Sequence, residues 1–147
     1  MKQAGYQVSE NRVARLMRLQ GIRGKAKRKF KTTTTSKHTR PRVENLVKQD
    51  FTATEPNKLW VSDITYIATL EGWLYLAIIL DVFSRKVIGW AFSERLTDDL
   101  VLSALTMAKQ QRQTPTGLIH HSDQGSQYAS HDFQASLHQD DIIQSMS

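Results

Sequence analysis

Two aspartates in the second half of the sequence lie where a carboxylate could do chemistry. Asp63 lies within the apolar stretch "SDITYI", and Asp123 ends the stretch "LIHHSD", shortly before Gly125. A carboxylate within an apolar strand is costly unless it faces a pocket, pairs with another group or binds a cation. Two facing carboxylates repel, and a divalent cation removes that repulsion. Mg²⁺ and Mn²⁺, which prefer oxygen ligands, are the cations that such a pair would bind, and they can activate a nucleophile on a phosphodiester.

A structural role for the same two residues is also compatible with the pattern. Asp63 could accept a hydrogen bond from Thr65 or from a backbone amide, and Asp123 could cap the turn that follows it. Spacing alone therefore leaves the catalytic and the structural interpretations open.

The histidines beside Asp123 suggest two other kinds of site, and the pattern argues against both. Adjacent side chains of a strand point to opposite faces, so we do not expect His120 and His121 to hold one zinc ion together. His121 and Asp123 could share a face, but two ligands are too few for structural zinc. A serine hydrolase needs its nucleophile on a strained strand-to-helix turn, which "HSDQG" does not provide. The sequence contains no cysteine, which excludes disulfides and thiolate zinc sites.

The residues around the two aspartates predict an α/β fold in which helices pack on a mixed sheet. Five stretches have the composition of strands: "KLWVSDITYIA", "WLYLAIIL", "KVIGWAFS", "LIHHS" and "DIIQSMS". Short turns between the first three predict an antiparallel meander. Helices are predicted after the N-cap candidates Thr97 and Ser130. If the first and fourth strands of this βββαβαβ order are adjacent, Asp63 and Asp123 meet.

The charge of the chain is divided unevenly. Residues 1–50 hold 14 of the 20 Lys and Arg residues but only 3 of the 14 Asp and Glu residues, a net charge of +11, whereas residues 51–147 carry −5. A basic arm on an acidic body favours a polyanion such as nucleic acid as the partner, and a solvated tail is the alternative. The longest apolar run, Trp73–Leu80, is too short to span a membrane, and no apolar signal segment begins the chain. These features favour a cytosolic protein without a membrane partner.

A helix is predicted near the N-terminus, between the N-cap Ser9 and the C-terminal Gly21. Its apolar stripe is flanked by three arginines that recur every third residue: Arg12, Arg15 and Arg18. It could be a helix of a helix-turn-helix unit that contacts DNA, or an amphipathic helix with a solvated polar face. The basic, threonine-rich stretch that follows is predicted to be a linker able to contact phosphates.

Three stretches resemble the catalytic core of bacterial insertion-sequence transposases of the second-reading-frame (OrfB) type, whose cores are similar to retroviral integrases. They are "KLWVSDITYI", "GWLYLAIILDVFSRKVIGWAFS" and "HHSDQGSQYAS", and the resemblance covers roughly residues 55–147. The stretch "GYQVSENRVARLMRLQGIRGK" resembles the helix-turn-helix segment that precedes this core. The resemblance implies a ribonuclease-H-like fold, DNA strand cleavage and strand transfer, and a DDE site in which two Asp and one Glu hold two divalent ions.

The resemblance implies that Asp63 and Asp123 are the catalytic and metal-binding aspartates. The glutamate of the family lies further along the chain than the 24 residues that follow Asp123, and Asp140 and Asp141 fall too early to replace it. We therefore expect Mg²⁺ or Mn²⁺ to bind through two acids, the final helices of the core to be missing, and strand transfer by this chain alone to be weak or absent.

The resemblance also divides the chain into a partial helix-turn-helix segment (1–30), a basic linker (31–55) and a C-terminally truncated integrase-type core (56–147). We expect DNA contacts from these basic residues: Arg12, Arg15, Arg18, Lys25, Lys27, Arg28 and Lys29. The implied partners are the DNA of the element ends and target, and further copies of the chain in a transposition complex at the bacterial nucleoid. A non-catalytic DNA-binding or regulatory fragment of a transposase is the alternative function.

Overall fold

The computed structural model describes residues 9–22 and 43–147, which belong to two compact units, Met1–Thr32 and Thr33–Ser147. The described part of the first unit is one helix with its caps, and that of the second unit is a mixed α/β domain. Among the described residues, no helix is long and apolar enough to cross a membrane.

Helix α1 of the first unit spans Glu10–Leu19 and has the predicted caps. The Ser9 side chain accepts the backbone N–H of Arg12 at 3.4 Å, which satisfies one of the free amides of the first turn. At the other end Gly21 has φ 69°, and the next amide, of Ile22, reaches back to the Met17 carbonyl at 2.8 Å. This is the Schellman arrangement that a glycine permits after a helix.

The described part of the second unit contains five strands and two helices. Their bounds are β1 Leu59–Ala68, β2 Trp73–Asp81, β3 Lys86–Ser93, α2 Asp98–Gln111, β4 Ile119–Ser122, α3 His131–Gln139 and β5 Ile143–Met146. The strands form one sheet in the order β3-β2-β1-β4-β5. The β1–β2 and β2–β3 pairs are antiparallel, whereas β4 runs parallel to both β1 and β5. The predicted βββαβαβ order and mixed sheet are confirmed, and β1 and β4 are neighbours.

The hydrophobic core lies between one face of this sheet and helices α2 and α3. The buried face of α2 is the one that helical periodicity predicts: Leu100, Val101, Ala104, Leu105 and Ala108. From the sheet and α3 come Trp60, Ala77, Ile79, Ile88, Phe133 and Leu137. Apolar residues three and four apart on the helix thus meet alternate residues of the strands.

Helix α2 lies directly on β3 because Gly89 has no side chain. A Cβ atom at Gly89 would lie 2.2 Å from the Ala104 carbonyl oxygen and 2.9 Å from the Ala108 Cβ atom. The pairing of β2 with β3 shifts register at Ile79 and Leu80, beside this glycine. Such an irregularity re-aims side chains locally, and here the adjacent residues Ile88 and Gly89 are both buried.

The opposite face of β1–β3 is apolar and partly exposed. Asp63 pairs with Ile78 of β2, which in turn pairs with Trp90 of β3. Phe92 lies two residues beyond Trp90 on the same face, and these two side chains are 56% and 41% exposed, respectively. We call this surface, formed by Asp63, Ile78, Trp90, Phe92 and their neighbours, the open face. Asp63 is the carboxylate in its midst.

Residues 43–51 run beside the edge strand β5. The Leu46 amide donates to Ser145 Oγ at 2.9 Å, and the Met146 amide donates to the Glu44 carbonyl at 3.4 Å. Val47 is buried there. The segment thereby satisfies part of the exposed hydrogen-bonding edge of β5, which would otherwise be free to pair with another chain.

Candidate active site

The parallel pairing of β1 with β4 brings the two predicted catalytic acids together. Val61 of β1 pairs with His121 of β4. Asp63 and Asp123 each lie two residues beyond this pair, in the same direction because the strands are parallel. Asp63 is exposed on the open face, and Asp123 is half-buried at the end of β4. Burial raises the pKa of Asp123; a hydrogen bond from Gly125 opposes this, and the negative charge of Asp63 adds to the rise. The two carboxylates are therefore close enough to repel.

The loop after β4 fixes the orientation of Asp123. Its Oδ1 atom accepts the backbone N–H of Gly125 at 3.0 Å. A Cβ atom at Gly125 would lie 2.9 Å from that oxygen, so a larger residue there would have to displace the carboxylate. The Gly125 carbonyl then accepts the amides of Tyr128 and Ala129 at 3.1 and 3.2 Å. These bonds join the acid-bearing loop to the start of α3.

The N-terminus of α3 is capped as predicted. Ser130 Oγ accepts the Phe133 amide at 3.3 Å and donates to the Gln127 carbonyl at 2.8 Å. One hydroxyl thus joins the helix to the loop, and both of its hydrogen-bonding roles are used inside the protein. The loop that carries Asp123 is therefore anchored to a helix whose other side packs in the core.

The two histidines have different neighbours, as the alternation of a strand predicts. His120 is fully buried, with its ring 5.3 Å from that of Phe133 and 6.2 Å from that of Tyr128. Burial, helped by the neighbouring His121, lowers the pKa of His120 to about 3, so this ring is neutral at physiological pH. It is a core residue.

His121 ties β4 to the end of the chain. Its Nδ1 atom lies 2.9 Å from Ser145 Oγ and its Nε2 atom 3.2 Å from Ser147 Oγ. The centres of the His121 and Phe51 rings are 5.8 Å apart in a T-shaped contact. Burial lowers the pKa of His121 as well. Because both ring nitrogens have hydroxyl partners, this histidine is not arranged as a ligand beside Asp123.

Asp63 and Asp123 form a donor set that fits a hard divalent cation. The two carboxylates repel one another, and their described contacts include no basic partner. A bound Mg²⁺ or Mn²⁺ ion would remove this repulsion. Within residues 9–22 and 43–147, no group of three or more His, Cys, Asp or Glu residues is arranged to hold a metal ion. Asp63 and Asp123 would therefore supply two of the several ligands that such an ion needs.

Two polar side chains beside the acids were missed from sequence. The hydroxyls of Ser62 and Tyr128 are buried and lack a hydrogen-bond partner in the described part of the chain. Burial raises the pKa of Tyr128; the nearby Ser62 hydroxyl opposes the shift without making a hydrogen bond of normal geometry, and the charges of Asp123 and Asp63 add to it. The signal in the sequence is only their adjacency, since Ser62 precedes Asp63 and Tyr128 follows the Asp123 turn.

Asp81, at the end of β2, stabilises the turn into β3. Its side chain is fully buried and accepts the amides of Asn57 and Ser84, each at 3.0 Å, and the Ser84 hydroxyl. Burial acts to raise the pKa of Asp81, but these hydrogen bonds outweigh it, and the pKa is lowered. These contacts make Asp81 a structural residue of the turn.

The residues expected to contact DNA lie elsewhere in the chain. Arg12, Arg15 and Arg18 are exposed on α1 of the first unit. The other four, Lys25, Lys27, Arg28 and Lys29, lie outside the described residues.

Comparison with known proteins agrees with this fold. The integrase core domain model matches residues 53–147, and an HTH-like domain model matches residues 1–30. The transposase InsF of insertion sequence IS3A from Escherichia coli (strain K12) is 46% identical over 147 residues, which are 100% of this chain and 51% of that protein. A 31 kDa protein of insertion element IS600 from Shigella sonnei is 47% identical over 143 residues, 97% of this chain and 53% of that protein. The chain spans about half the length of the curated relatives it matches.

Solved structures show the same architecture. The catalytic core domain of HTLV-2 integrase in complex with magnesium, in its dimeric form, superposes with a TM-score of 0.58 at 24% identity, over 65% of this chain and 63% of that one. A chain in the structure of the simian T-cell lymphotropic virus intasome, in complex with a PP2A regulatory subunit, gives a TM-score of 0.59 at 24% identity, over 78% of this chain and 38% of that one. The likeness shows the ribonuclease-H-like fold that the sequence predicted. By the match over residues 53–147, the chain belongs to the integrase core domain family.

Proposed function

We propose that this protein acts in DNA transposition as a DDE-type transposase chain, a polynucleotidyl transferase that cuts and joins DNA strands. The observation that carries the proposal is the pairing of β1 with β4, which puts Asp63 beside Asp123 in an integrase core fold. Its similarity to transposases of insertion sequences supports the same conclusion. DNA of element ends and target is the proposed substrate, in the bacterial cytoplasm.

In this proposal Asp63 and Asp123 bind Mg²⁺ or Mn²⁺, two ions in the intact family site. Such ions supply an activated nucleophile and stabilise the leaving oxygen of the phosphodiester. The Gly125 amide holds one oxygen of Asp123 in place, and the half-buried position of this acid strengthens its interaction with a cation. Because the chain offers two of the three acids that the family uses, we expect weak strand transfer by this 147-residue polypeptide alone.

The proposed division of labour follows the segments 1–30, 31–55 and 56–147, with DNA held by the first two. The exposed arginines of α1 and the net charge of +11 in residues 1–50 support this assignment. We further propose that several copies act together on the two element ends, since one acid pair serves one strand at a time.

Titration with Mn²⁺ by isothermal calorimetry tests the metal site. We expect Asp63→Asn and Asp123→Asn each to weaken Mn²⁺ binding by about tenfold or more, as loss of one ligand of a hard cation should. Asp99→Asn, at an exposed carboxylate in the first turn of α2, is the matched control and should bind as the unchanged protein does. Equal affinity in all four proteins would contradict the proposed site.

Incubation with element-end DNA and Mn²⁺ tests the chemistry. We expect cleavage at or near background for the 147-residue chain, and recovery when a longer homologous chain supplies the missing acid. Efficient cleavage by this chain alone that disappears with Asp63→Asn would overturn the expectation of weak activity.

A non-catalytic DNA-binding role is the second candidate, and the exposed arginines of α1 favour it. It predicts salt-dependent DNA binding that is lost when Arg12, Arg15 and Arg18 are changed to Glu, with no cleavage under any metal condition. Charge reversal at Arg85, Lys86 and Arg95 of the second unit is the control of equal charge change. Metal-dependent nicking by this chain itself that is lost in Asp123→Asn would exclude this alternative.

A further inference from the structure

A nearly buried glutamine lies in the turn that follows Asp123. Gln127 is 9% exposed, and its carbonyl accepts the Ser130 amide at 3.3 Å and the Ser130 hydroxyl at 2.8 Å. These bonds fix the backbone of Gln127 at the start of α3. Its side chain reaches a different element, the connection between β3 and α2.

The two ends of the Gln127 carboxamide have different neighbours. Nε2 donates to the carbonyl of Leu96, the residue before the N-cap of α2, at 3.5 Å. Oε1 lies 3.5 Å from the point where a Cβ atom of Gly125 would be, and Asp123 Oδ1 lies 2.9 Å from the same point. Both oxygens are therefore on the side of Gly125 where a side chain would be. One carboxamide thus joins the backbone of Gly125 to the start of α2.

The stability of the fold does not account for a glutamine at this position. A long side chain loses rotamer freedom when it is buried, and an amide loses its water. A hydrogen bond of 3.5 Å is longer than the usual range of about 2.7–3.2 Å and offsets little of this cost. A methionine of similar length would fill the same space without a polar group. What the amide adds is a link between two elements, one of which carries Asp123.

We propose that Gln127 is a positioning residue for Asp123: it holds the Gly125 backbone against the β3–α2 connection and so keeps the Gly125 amide in place beneath the carboxylate. The inference rests on the proposed metal site, because it concerns the orientation of one of its two acids. Gly125 donates to Asp123 Oδ1 at 3.0 Å, so a shift of the Gly125 backbone moves this donor away from the carboxylate. Groups that orient a metal-binding carboxylate raise its affinity for the ion.

Gln127→Met tests the proposal because it keeps the length of the side chain and removes the amide. We expect Mn²⁺ affinity, measured by calorimetric titration, to fall by about tenfold, as when groups that orient metal ligands are removed. The melting temperature should change by less than about 3 °C, because the volume is kept and only one long hydrogen bond is lost. Gln134→Met, the same substitution at a half-buried glutamine of α3, is the matched control and should leave Mn²⁺ affinity unchanged.

A shorter amide provides a second test. Gln127→Asn keeps the amide but is one bond too short to reach the Leu96 carbonyl, which is already 3.5 Å from Nε2. It should weaken Mn²⁺ binding as Gln127→Met does. If Gln127→Asn keeps full affinity, the link to Leu96 is not what holds Asp123, and the inference is overturned.

Hydrogen exchange at the Gly125 amide needs no metal. It reports the bond to Asp123, and Gln127→Met should speed it by about tenfold while the melting temperature stays nearly the same. If Mn²⁺ affinity and Gly125 exchange in Gln127→Met both match the unchanged protein, Gln127 is only a packing residue and the inference is overturned. If the unchanged protein binds no Mn²⁺ but exchange is faster in the variant, the restraint on Asp123 stands and the proposed metal site fails.

Discussion

Gly125 donates its amide to Asp123 Oδ1 at 3.0 Å, and a Cβ atom at Gly125 would lie 2.9 Å from the same oxygen. We therefore expect Gly125→Ala to push the Asp123 carboxylate from its place and to weaken Mn²⁺ binding by about tenfold. Calorimetric titration measures the effect. Gly72→Ala is a contrasting control, because φ 139° at that turn makes alanine strained but no acid is near. It should lower stability and leave Mn²⁺ affinity unchanged; the opposite pattern would contradict the role of Gly125.

The contact of Gly89 with α2 predicts a large effect on stability. In Gly89→Ala the added methyl group would meet the Ala104 carbonyl oxygen at 2.2 Å, so the helix must move from the sheet. We expect the free energy of unfolding to fall by about 3 kcal/mol, at the upper end for overpacked cores. Urea denaturation measures it. Val87→Ala, at an exposed position on the same strand, should cost less than about 1 kcal/mol. If Gly89→Ala lowers the free energy of unfolding as little as Val87→Ala does, α2 can move away from β3 at little cost.

The buried histidines predict that stability declines in weak acid. The pKa of His120 is about 3 in the folded protein and about 6.5 when unfolded. Its stabilising contribution is therefore complete above pH 6.5 and is lost as the pH falls toward 3, because only the unfolded chain then takes up the proton. The slope is about 1.4 kcal/mol per pH unit for one such group. The lowered pKa of His121 acts in the same direction, and the raised pKa of Asp123 acts in the opposite one.

Replacing His120 by Leu should flatten this dependence. We expect the urea midpoint of the variant to change less between pH 7 and pH 5 than that of the unchanged protein. The exposed His131 offers a matched control, since His131→Leu should leave the slope as it was. A variant at position 120 with an unchanged slope would show that His120 is not buried in its neutral form.

Replacing the buried carboxylate of Asp81 by a neutral amide should destabilise the protein. An amide at this position cannot accept all three bonds from Asn57 and Ser84, because its NH₂ group is a donor. We expect Asp81→Asn to lower the free energy of unfolding by about 2 kcal/mol at pH 7. The lowered pKa means that the stability from this carboxylate is present above pH 4 and is lost as the pH falls below that. Asp132→Asn at the exposed start of α3 should cost less than half as much, and similar losses would contradict the role given to Asp81.

Local patterns in the sequence were enough to predict the elements. The caps of α1 and α3, the buried stripe of α2 and the turn after Asp81 depend on residues within a few positions of one another, and each agrees with the structure. Which strands would be neighbours was left conditional, because parallel pairing of β1 with β4 joins segments about 60 residues apart along the chain. Placement of Asp63 beside Asp123 followed only once that pairing was known.

Long-range contacts of single side chains could not be predicted. The bond from Leu46 to Ser145 and the close approach of Gly89 to α2 depend on how separate elements pack. The unpartnered hydroxyl of Tyr128 was hidden for the same reason, since an aromatic residue in a sequence predicts packing and says nothing about where its polar tip ends.

The open face also has a consequence for the choice of variants. Asp63 is a negative charge within an apolar surface that includes Ile78, Trp90 and the exposed Phe92. Charged residues that interrupt an apolar strand act as gatekeepers against self-association. A substitution that removes this charge therefore alters colloidal behaviour as well as chemistry. Weaker Mn²⁺ binding by Asp63→Asn is informative only when light scattering shows the same particle size as for the unchanged protein. Thr65→Val, an uncharged change two residues along the same face, gives the baseline for that comparison.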